Sequence, residues 1–351
     1  MHLSADFPTS PYPKGWFIIG RSHDVAKGEV KALKYFGENL VLWRGESGEL
    51  FLQDAYCLHL GAHRGIKGTV KGDDIVCPWH GWQWSGEGRN TCIPYKDEPP
   101  KRQLRIRTYP VKEWYGMVVA WYAPTEGAAE WELSAVPELT REDWFPMFPH
   151  GAANWQVKGH VQMPVENAAD LAHIHFVHGS KHPASIVSLV MKAHQFIADV
   201  DVMYGGGREG TVLTPIGEKI AGFRIEHEGT GIAVIRWGEQ LWPTVLVTAF
   251  TAVDAHTFDY FFQISSQRGE NEAGDVPQGR AARMLKMQLK VSEEDFFTWE
   301  NMKVLPRANF ALCENQNYGR LRYWARQFYP ETSADYREPG DAPAVLQRRT
   351  I

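Results

Sequence analysis

The sequence predicts an α+β protein, in which an all-β domain precedes a domain made of an antiparallel sheet covered by helices. Two observations lead to this fold class. Over residues 15–122, short apolar segments alternate with turn residues, as is typical of a small β-domain. Later in the chain, β-branched and aromatic runs precede a segment, 281–305, whose apolar residues recur at helical spacing. The 351 residues are enough for two such domains.

The first domain is expected to consist of strands joined by tight turns. Residues 40–44 and 49–53 flank a Gly-Glu-Ser-Gly turn and therefore predict a hairpin. Residues 116–122 form another apolar strand. We therefore assign 15–123 to the first domain and 124–150, which is rich in Glu, Pro and Ala, to a linker.

The second domain is expected to span residues 151–330, and residues 331–351 form a polar, Pro-rich tail that should be extended. A helical stretch is predicted around 164–178. The 281–305 segment is predicted to be a long helix, with Leu285, Leu289 and Phe296 packing on the sheet. The predicted strands of that sheet are 211–213, 222–226, 231–237, 244–253 and 257–265.

Composition narrows the class of protein. The chain is 44% hydrophobic and 23% charged, as in ordinary globular proteins. Its net charge of −5 argues against a nucleic-acid partner. No apolar run approaches the roughly 20 residues that a membrane span needs, and the first residues do not resemble a secretory signal. Two of the four cysteines belong to the motifs described next, and the remaining Cys92 and Cys313 are too few for a disulfide framework, so we expect a reducing, cytoplasmic location.

Two short cysteine–histidine motifs carry the strongest chemical signal. They read Cys57-Leu-His59 and Cys77-Pro-Trp-His80. Two cysteines and two histidines at this spacing can bind one zinc ion or a two-iron cluster with unequal ends. A zinc site would more often place like ligands together in each half.

The residues that fill these motifs favour the cluster. The runs Cys-Leu-His-Leu-Gly-Ala-His-Arg-Gly and Cys-Pro-Trp-His-Gly-Trp-Gln-Trp resemble the two loops of a Rieske [2Fe-2S] domain. The resemblance implies that Cys57 and Cys77 hold one iron and that His59 and His80 hold the other.

A second candidate site lies in the predicted helical stretch. Asn167, Asp170 and His173 are three residues apart and would share one helical face. A helix that ends near Phe176 could fold His178 back towards His173. Two imidazoles and one carboxylate on one side of a metal are typical of mononuclear non-haem iron, whereas an isolated histidine more often binds nothing.

The pattern Asn-x2-Asp-x2-His-x4-His resembles the iron site of the Rieske non-haem iron oxygenases. Segments 93–95, 109–116 and 322–329 are similar to the branch that contains the 3-ketosteroid 9α-hydroxylase oxygenase and the cholesterol 7-desaturases. This resemblance implies a helix-grip-like catalytic domain and a terminal oxygenase subunit that uses O2. It also implies a mononuclear Fe(II), and electrons from NAD(P)H that arrive through a separate reductase or ferredoxin component.

The resemblance further implies a homotrimer and assigns site residues. His173 and His178 would bind the iron, with Asp170 and Asn167 as catalytic residues beside them. Asp170 would link His173 to a Rieske histidine of the neighbouring subunit, for which His80 is preferred to His59.

The third iron ligand is less obvious. Relatives carry an aspartate shortly after a Leu-Cys-Glu run, but here Gln316 follows Glu314. We predict Glu314 as the ligand because a carboxylate binds Fe(II) better than an amide, with Asn315, Gln316 or a water as alternatives. Asp295 is a weaker candidate, and we expect it on a solvated helix face.

The resemblance implies hydroxylation of a bulky apolar, steroid-like substrate. An aromatic or heterocyclic monooxygenase, or an O- or N-demethylase, is the alternative within the same superfamily. A Rieske electron-transfer protein or an inactive oxygenase-like protein is the alternative from another class. The chain has no Gly-rich dinucleotide fingerprint, so the reductase must be a separate protein.

Overall fold

The computed structural model describes residues 6–95, 97–204 and 219–331. They fall into two compact units. The smaller unit comprises Lys14–Glu132 together with Thr251–Ala255, and the larger comprises the rest. The domain limits predicted above stay a prediction.

The smaller unit is built from antiparallel strands. Its three sheets have the orders β1-β11-β10, β2-β3-β4-β9 and β5-β6-β7-β8. The predicted hairpin is confirmed, because Leu42 of β3 pairs with Leu52 of β4. The strands that its described residues form are β1 (Gly15–Arg21), β2 (Val30–Tyr35), β3 (Glu38–Arg44), β4 (Leu50–Asp54), β5 (Thr69–Lys71), β6 (Asp74–Val76), β7 (Gln83–Trp84), β8 (Asn90–Cys92), β9 (Thr108–Tyr109), β10 (Val111–Trp114) and β11 (Met117–Tyr122).

Two cysteine-containing loops emerge from these sheets. One loop connects β4 to β5, and the other connects β6 to β7. Trp43, Ile75 and Trp84 pack around Cys57 and Cys77 in one buried cluster. Short strands therefore hold both loops on a rigid, apolar base.

The larger unit contains a seven-stranded antiparallel sheet, in the order β12-β18-β17-β16-β15-β14-β13. Four predicted strands are confirmed as β15 to β18, whereas 211–213 lies outside the described residues. The sequence did not reveal β12 to β14. These seven strands are β12 (Ala152–Lys158), β13 (Ser185–Lys192), β14 (Gln195–Tyr204), β15 (Lys219–Glu228), β16 (Ile232–Trp237), β17 (Thr244–Ala252) and β18 (Thr257–Ser266).

The described residues of this unit form four α-helices. They are α1 (Gln162–Glu166), α2 (His173–Phe176), α3 (Gly279–Trp299) and α4 (Leu312–Ala325). Short 3-10 turns lie at Ser22–Asp24, Pro137–Thr140 and Arg326–Phe328. Among the described residues, no helix combines the length and the apolar character that crossing a bilayer requires. The predicted tail lies outside the described part of the chain after Glu331.

The predicted helical stretch around 164–178 consists of two short helices, so the expected single helical face for Asn167, Asp170 and His173 is wrong. Asp170 Oδ1 accepts hydrogen bonds from the backbone N–H groups of Ala172 and His173, at 3.1 Å each. In a continuous helix these donors would bond to backbone carbonyls instead, so the aspartate favours a break before α2. The break positions His173 at the start of a new helix.

Candidate metal centres

The two cysteine–histidine loops share one local conformation. Gly61 donates its N–H to the carbonyl of Cys57 at 2.9 Å, and Gly81 does the same to Cys77 at 3.0 Å. Both glycines have left-handed φ values, +77° and +71°. Side chains disfavour this region, so glycine four residues after each cysteine allows the same tight turn twice.

The donor groups of these loops form one sulfur pair and one nitrogen pair. Cys57 and Cys77 are buried, and burial raises the pKa of the Cys57 thiol, with the nearby Cys77 adding to the shift. The rings of His59 and His80 lie 4.7 Å apart between centroids. Nδ1 of His59 is buried and has no hydrogen-bond partner among the described residues. This set fits a two-iron cluster with thiolates on one iron and imidazoles on the other.

The larger unit brings a second group of metal-binding side chains together. One ligand atom each from His173, His178 and Asp295 lies within 4.8 Å of the others. The helix α2 ends at Phe176, as predicted, and the chain folds back so that the two imidazole centroids are 5.2 Å apart. Two imidazoles and one carboxylate fit a mononuclear iron site with open positions.

Neighbouring acceptors fix the orientation of both imidazoles. Nδ1 of His173 lies 2.6 Å from the backbone oxygen of Asp170, and Nδ1 of His178 lies 3.0 Å from Oε2 of Glu294. Nε2 of His178 is 3.4 Å from Oδ1 of Asp295. The Nδ1–H groups are therefore donated outwards, which leaves the Nε2 lone pairs for a metal.

Asp295 is held in a similar way. Asn167 donates from Nδ2 to Asp295 Oδ2 at 3.0 Å, which leaves Oδ1 towards the histidines. Burial raises the pKa of Asp295, although His178 and His173 oppose that shift. A bound cation would favour the charged carboxylate. Asn167, predicted to act at this site, thus orients the carboxylate.

Glu314, which the sequence predicts as the third ligand, is not part of the group that the described residues form. Glu314 Oε2 instead accepts the N–H of Ala311 at 2.9 Å, so this side chain caps the start of α4. Asn315 and Gln316 are exposed. Asp295, which was expected on a solvated face, is only 8% exposed and stands beside the histidines.

A sequence signal for Asp295 existed in the spacing of α3. The predicted apolar stripe of Leu285, Leu289 and Phe296 is only partly buried. The fully buried face is rotated from it and carries polar residues among small and apolar ones. That face consists of Ala281, Met284, Gln288, Ser292, Asp295 and Trp299, at spacings of three or four. An acidic residue in such a row marks a functional site or a buried pair.

Asp170 lies next to this site through its backbone and its side chain. Its carbonyl holds His173, and its carboxylate accepts a hydrogen bond from the hydroxyl of Tyr318. The predicted link from Asp170 to His80 joins two subunits and stays a prediction.

Glu294 was not identified from the sequence. Its contact with Nδ1 of His178 leads to a testable prediction. Replacing Glu294 with glutamine should weaken iron binding about 10–100-fold, because a neutral amide orients and polarises the His178 ring less well. Titration of metal-free protein with Fe(II) under nitrogen measures the effect. Glu293→Gln, one residue earlier on the exposed face of α3, is the matched control and should bind iron normally. Equal affinities for the two variants would contradict this role.

An apolar cavity opens at the metal-binding group. Its non-atom space, counted to the mouth that meets solvent, is about 990 Å³. The side chains of His173, His178 and Asp295 are part of its wall. Most of the remaining wall is aliphatic or aromatic and comes from the sheet and α3, including Val200, Phe223, Ile235, Trp237, Leu246 and Trp299.

Fold and site together define a Rieske-type non-haem iron oxygenase. The Rieske [2Fe-2S] domain family matches residues 15–110. The family described as the 3-ketosteroid 9alpha-hydroxylase C-terminal domain matches residues 120–329. The chain belongs to this family, and it is the terminal oxygenase component of a Rieske monooxygenase.

Similar proteins agree with this assignment. A cholesterol 7-desaturase from Hemicentrotus pulcherrimus is 30% identical over 95% of this chain and 73% of its own length. The oxygenase component of 3-ketosteroid-9-alpha-monooxygenase from Rhodococcus rhodochrous is 27% identical over 91% of this chain and 81% of its own length. Dicamba monooxygenase bound to dicamba superposes with a TM-score of 0.72 at 15% identity, covering 94% of this chain and 99% of that one, and so has the same fold.

Proposed function

We propose that this oxygenase component oxidises a steroid-sized apolar molecule, with O2 as the oxidant. One observation carries the proposal: His173, His178 and Asp295, which lie together as a metal-binding group, line a mostly apolar cavity. The named activities of the relatives above, a 3-ketosteroid monooxygenase and a cholesterol desaturase, support a steroid as the substrate class.

Each residue of the site has a distinct task. His173, His178 and Asp295 would hold a mononuclear iron, which when bound supplies the activation of O2. Asn167 and Glu294 keep the carboxylate and one imidazole in their binding orientation. The apolar wall binds the substrate and excludes water from the site.

We also propose that electrons come from NAD(P)H through a separate reductase or ferredoxin. A solved complex of the oxygenase and ferredoxin of carbazole 1,9a-dioxygenase is among the similar structures. We propose a homotrimer and a cytoplasmic location as well. Leu58, Leu60 and Trp79, in the same two loops as His59 and His80, are exposed, which suits a surface that a neighbouring chain covers.

Reconstitution with a reductase tests the proposed activity. The iron-loaded protein, a ferredoxin and its NAD(P)H reductase should consume O2 and form product with a 3-ketosteroid or with cholesterol. A methoxylated aromatic acid and a methylxanthine serve as comparison substrates. Product from these two and none from steroids would reject the steroid assignment. The absence of substrate-dependent O2 uptake with every compound, in a protein loaded with both metal centres, would reject the enzymatic function.

A further inference from the structure

One buried histidine in the wall of the cavity is not part of the metal-binding group. His227 lies on β15, is 1% exposed and lines the cavity with Phe223 and Ile225, which share its face of the strand. Neither of its ring nitrogens has a hydrogen-bond partner among the described residues. Buried polar groups are nearly always hydrogen-bonded, so this ring points to a partner supplied by a ligand.

The surroundings of His227 keep the ring neutral. The aromatic rings of Phe196 and Trp324 lie 6.3 and 6.2 Å from it between centroids. Burial among such groups lowers the pKa of His227 to about 4. A neutral imidazole has one nitrogen that donates and one that accepts, so it can bind a ketone or a hydroxyl group.

The strand register creates space beside this ring. His227 pairs with Ala233 of β16, and Ala233 pairs with Thr248 of β17. All three line the cavity, and the small alanine lies between the two polar side chains. Adjacent strands are about 4.8 Å apart, so a small polar group could lie over Ala233 within reach of His227.

The next row of the sheet is entirely apolar. Ile225, Ile235 and Leu246 pair across β15, β16 and β17, and all three line the cavity. They offer contact area but no hydrogen bond. On these three strands, the row of His227 is therefore polar and the neighbouring row is apolar.

We propose that His227 is a substrate-positioning residue, which hydrogen-bonds a ketone or hydroxyl oxygen of the apolar substrate and so selects which carbon faces the metal site. The proposal deepens the proposed function and rests on it. It assigns the substrate class as a rigid apolar molecule with a hydrogen-bonding oxygen on its skeleton. An apolar wall holds such a molecule without fixing its direction, whereas one directional bond fixes it.

Binding of matched steroids tests this role without turnover. The probes are androst-4-ene-3,17-dione and its 3-deoxy and 17-deoxy analogues, measured anaerobically without reductase through the fluorescence of Trp237 and Trp299, which line the cavity. The natural chain should bind the dione roughly tenfold more tightly than one of the two analogues, the difference that one hydrogen bond makes. His227→Phe, which keeps a ring of similar size, should bind all three compounds within about twofold of one another.

Two further variants separate positioning from folding. His227→Gln retains a donor and an acceptor and should recover part of the preference. His194→Phe removes a histidine that bonds Glu228 and does not line the cavity, and should keep the full preference. Failure of the natural chain to bind the dione, equal binding of all three probes, or an unchanged preference in His227→Phe would overturn the proposal. Steroid oxidation with an unchanged preference would overturn this inference alone, whereas His227-dependent binding without oxidation would overturn the proposed function alone.

Discussion

Replacing Asp295 with alanine is expected to remove the mononuclear iron and to lower substrate-dependent O2 uptake more than about 100-fold. The variant would lose the only carboxylate in the group of His173, His178 and Asp295 that the described residues form. The cluster loops belong to the other unit, so the visible absorption of the cluster should remain. Iron analysis should fall from about three to about two per chain.

Glu314→Gln is the matched control for this prediction. It removes the carboxylate that the sequence favoured, and the structure places this group at the cap of α4. The variant should retain its iron and its activity within about twofold and lose little stability, because glutamine at this position of the cap also accepts the N–H of Ala311. Loss of iron from Glu314→Gln, together with normal iron in Asp295→Ala, would contradict the assignment.

Replacing Arg322 with methionine is expected to lower the free energy of unfolding of the larger unit by about 3–5 kcal/mol. Arg322 makes two hydrogen bonds to Glu166, from Nε to Oε1 at 2.8 Å and from Nη2 to Oε2 at 2.9 Å, and both side chains are buried. The substitution leaves the Glu166 carboxylate buried without its cation. Urea unfolding followed by tryptophan fluorescence measures the change.

A double variant and a control at an exposed ion pair test whether the buried, unpaired charge of Glu166 causes this loss of stability. Glu166→Gln combined with Arg322→Met removes both charges and should recover much of the lost stability. Arg224→Met breaks a bidentate but half-exposed pair with Asp199 and should cost no more than about 1 kcal/mol. Equal costs for Arg322→Met and Arg224→Met would refute the argument from burial.

The buried pair also affects the metal site. Glu166 is the last residue of α1, and the next residue, Asn167, holds Asp295. Arg322 on α4 therefore anchors the backbone that leads into the iron-binding segment. Arg322→Met should accordingly loosen iron binding in protein that is still folded.

Local patterns were sufficient for much of the fold. Alternation of apolar residues and turns predicts the hairpin of β3 and β4, and β-branched runs predict β15 to β18, because both signals arise from neighbours in the chain. The edge strand β13 was missed because Leu189 is its only buried residue, while the apolar residues Val187 and Val190 are exposed and obscure the apolar–polar alternation. The break between α1 and α2 was missed because it depends on one side chain, Asp170, replacing backbone acceptors.

Candidate ligands that lie close together in the chain can be predicted from their spacing alone. Cys57 and His59, Cys77 and His80, and the pair His173 and His178 each lie within five residues, so short turns bring each pair together. Asp295 is more than a hundred residues from His178, and only the packing of α3 against the sheet brings its carboxylate within 3.4 Å of that ring. Glu314 had the right chemistry, but its nearest orphan donor was the N–H of Ala311 at the start of its own helix. The role of His227 could not be predicted for the same reason. Whether a polar side chain lacks a hydrogen-bond partner depends on the contacts of the folded chain, which the sequence does not show.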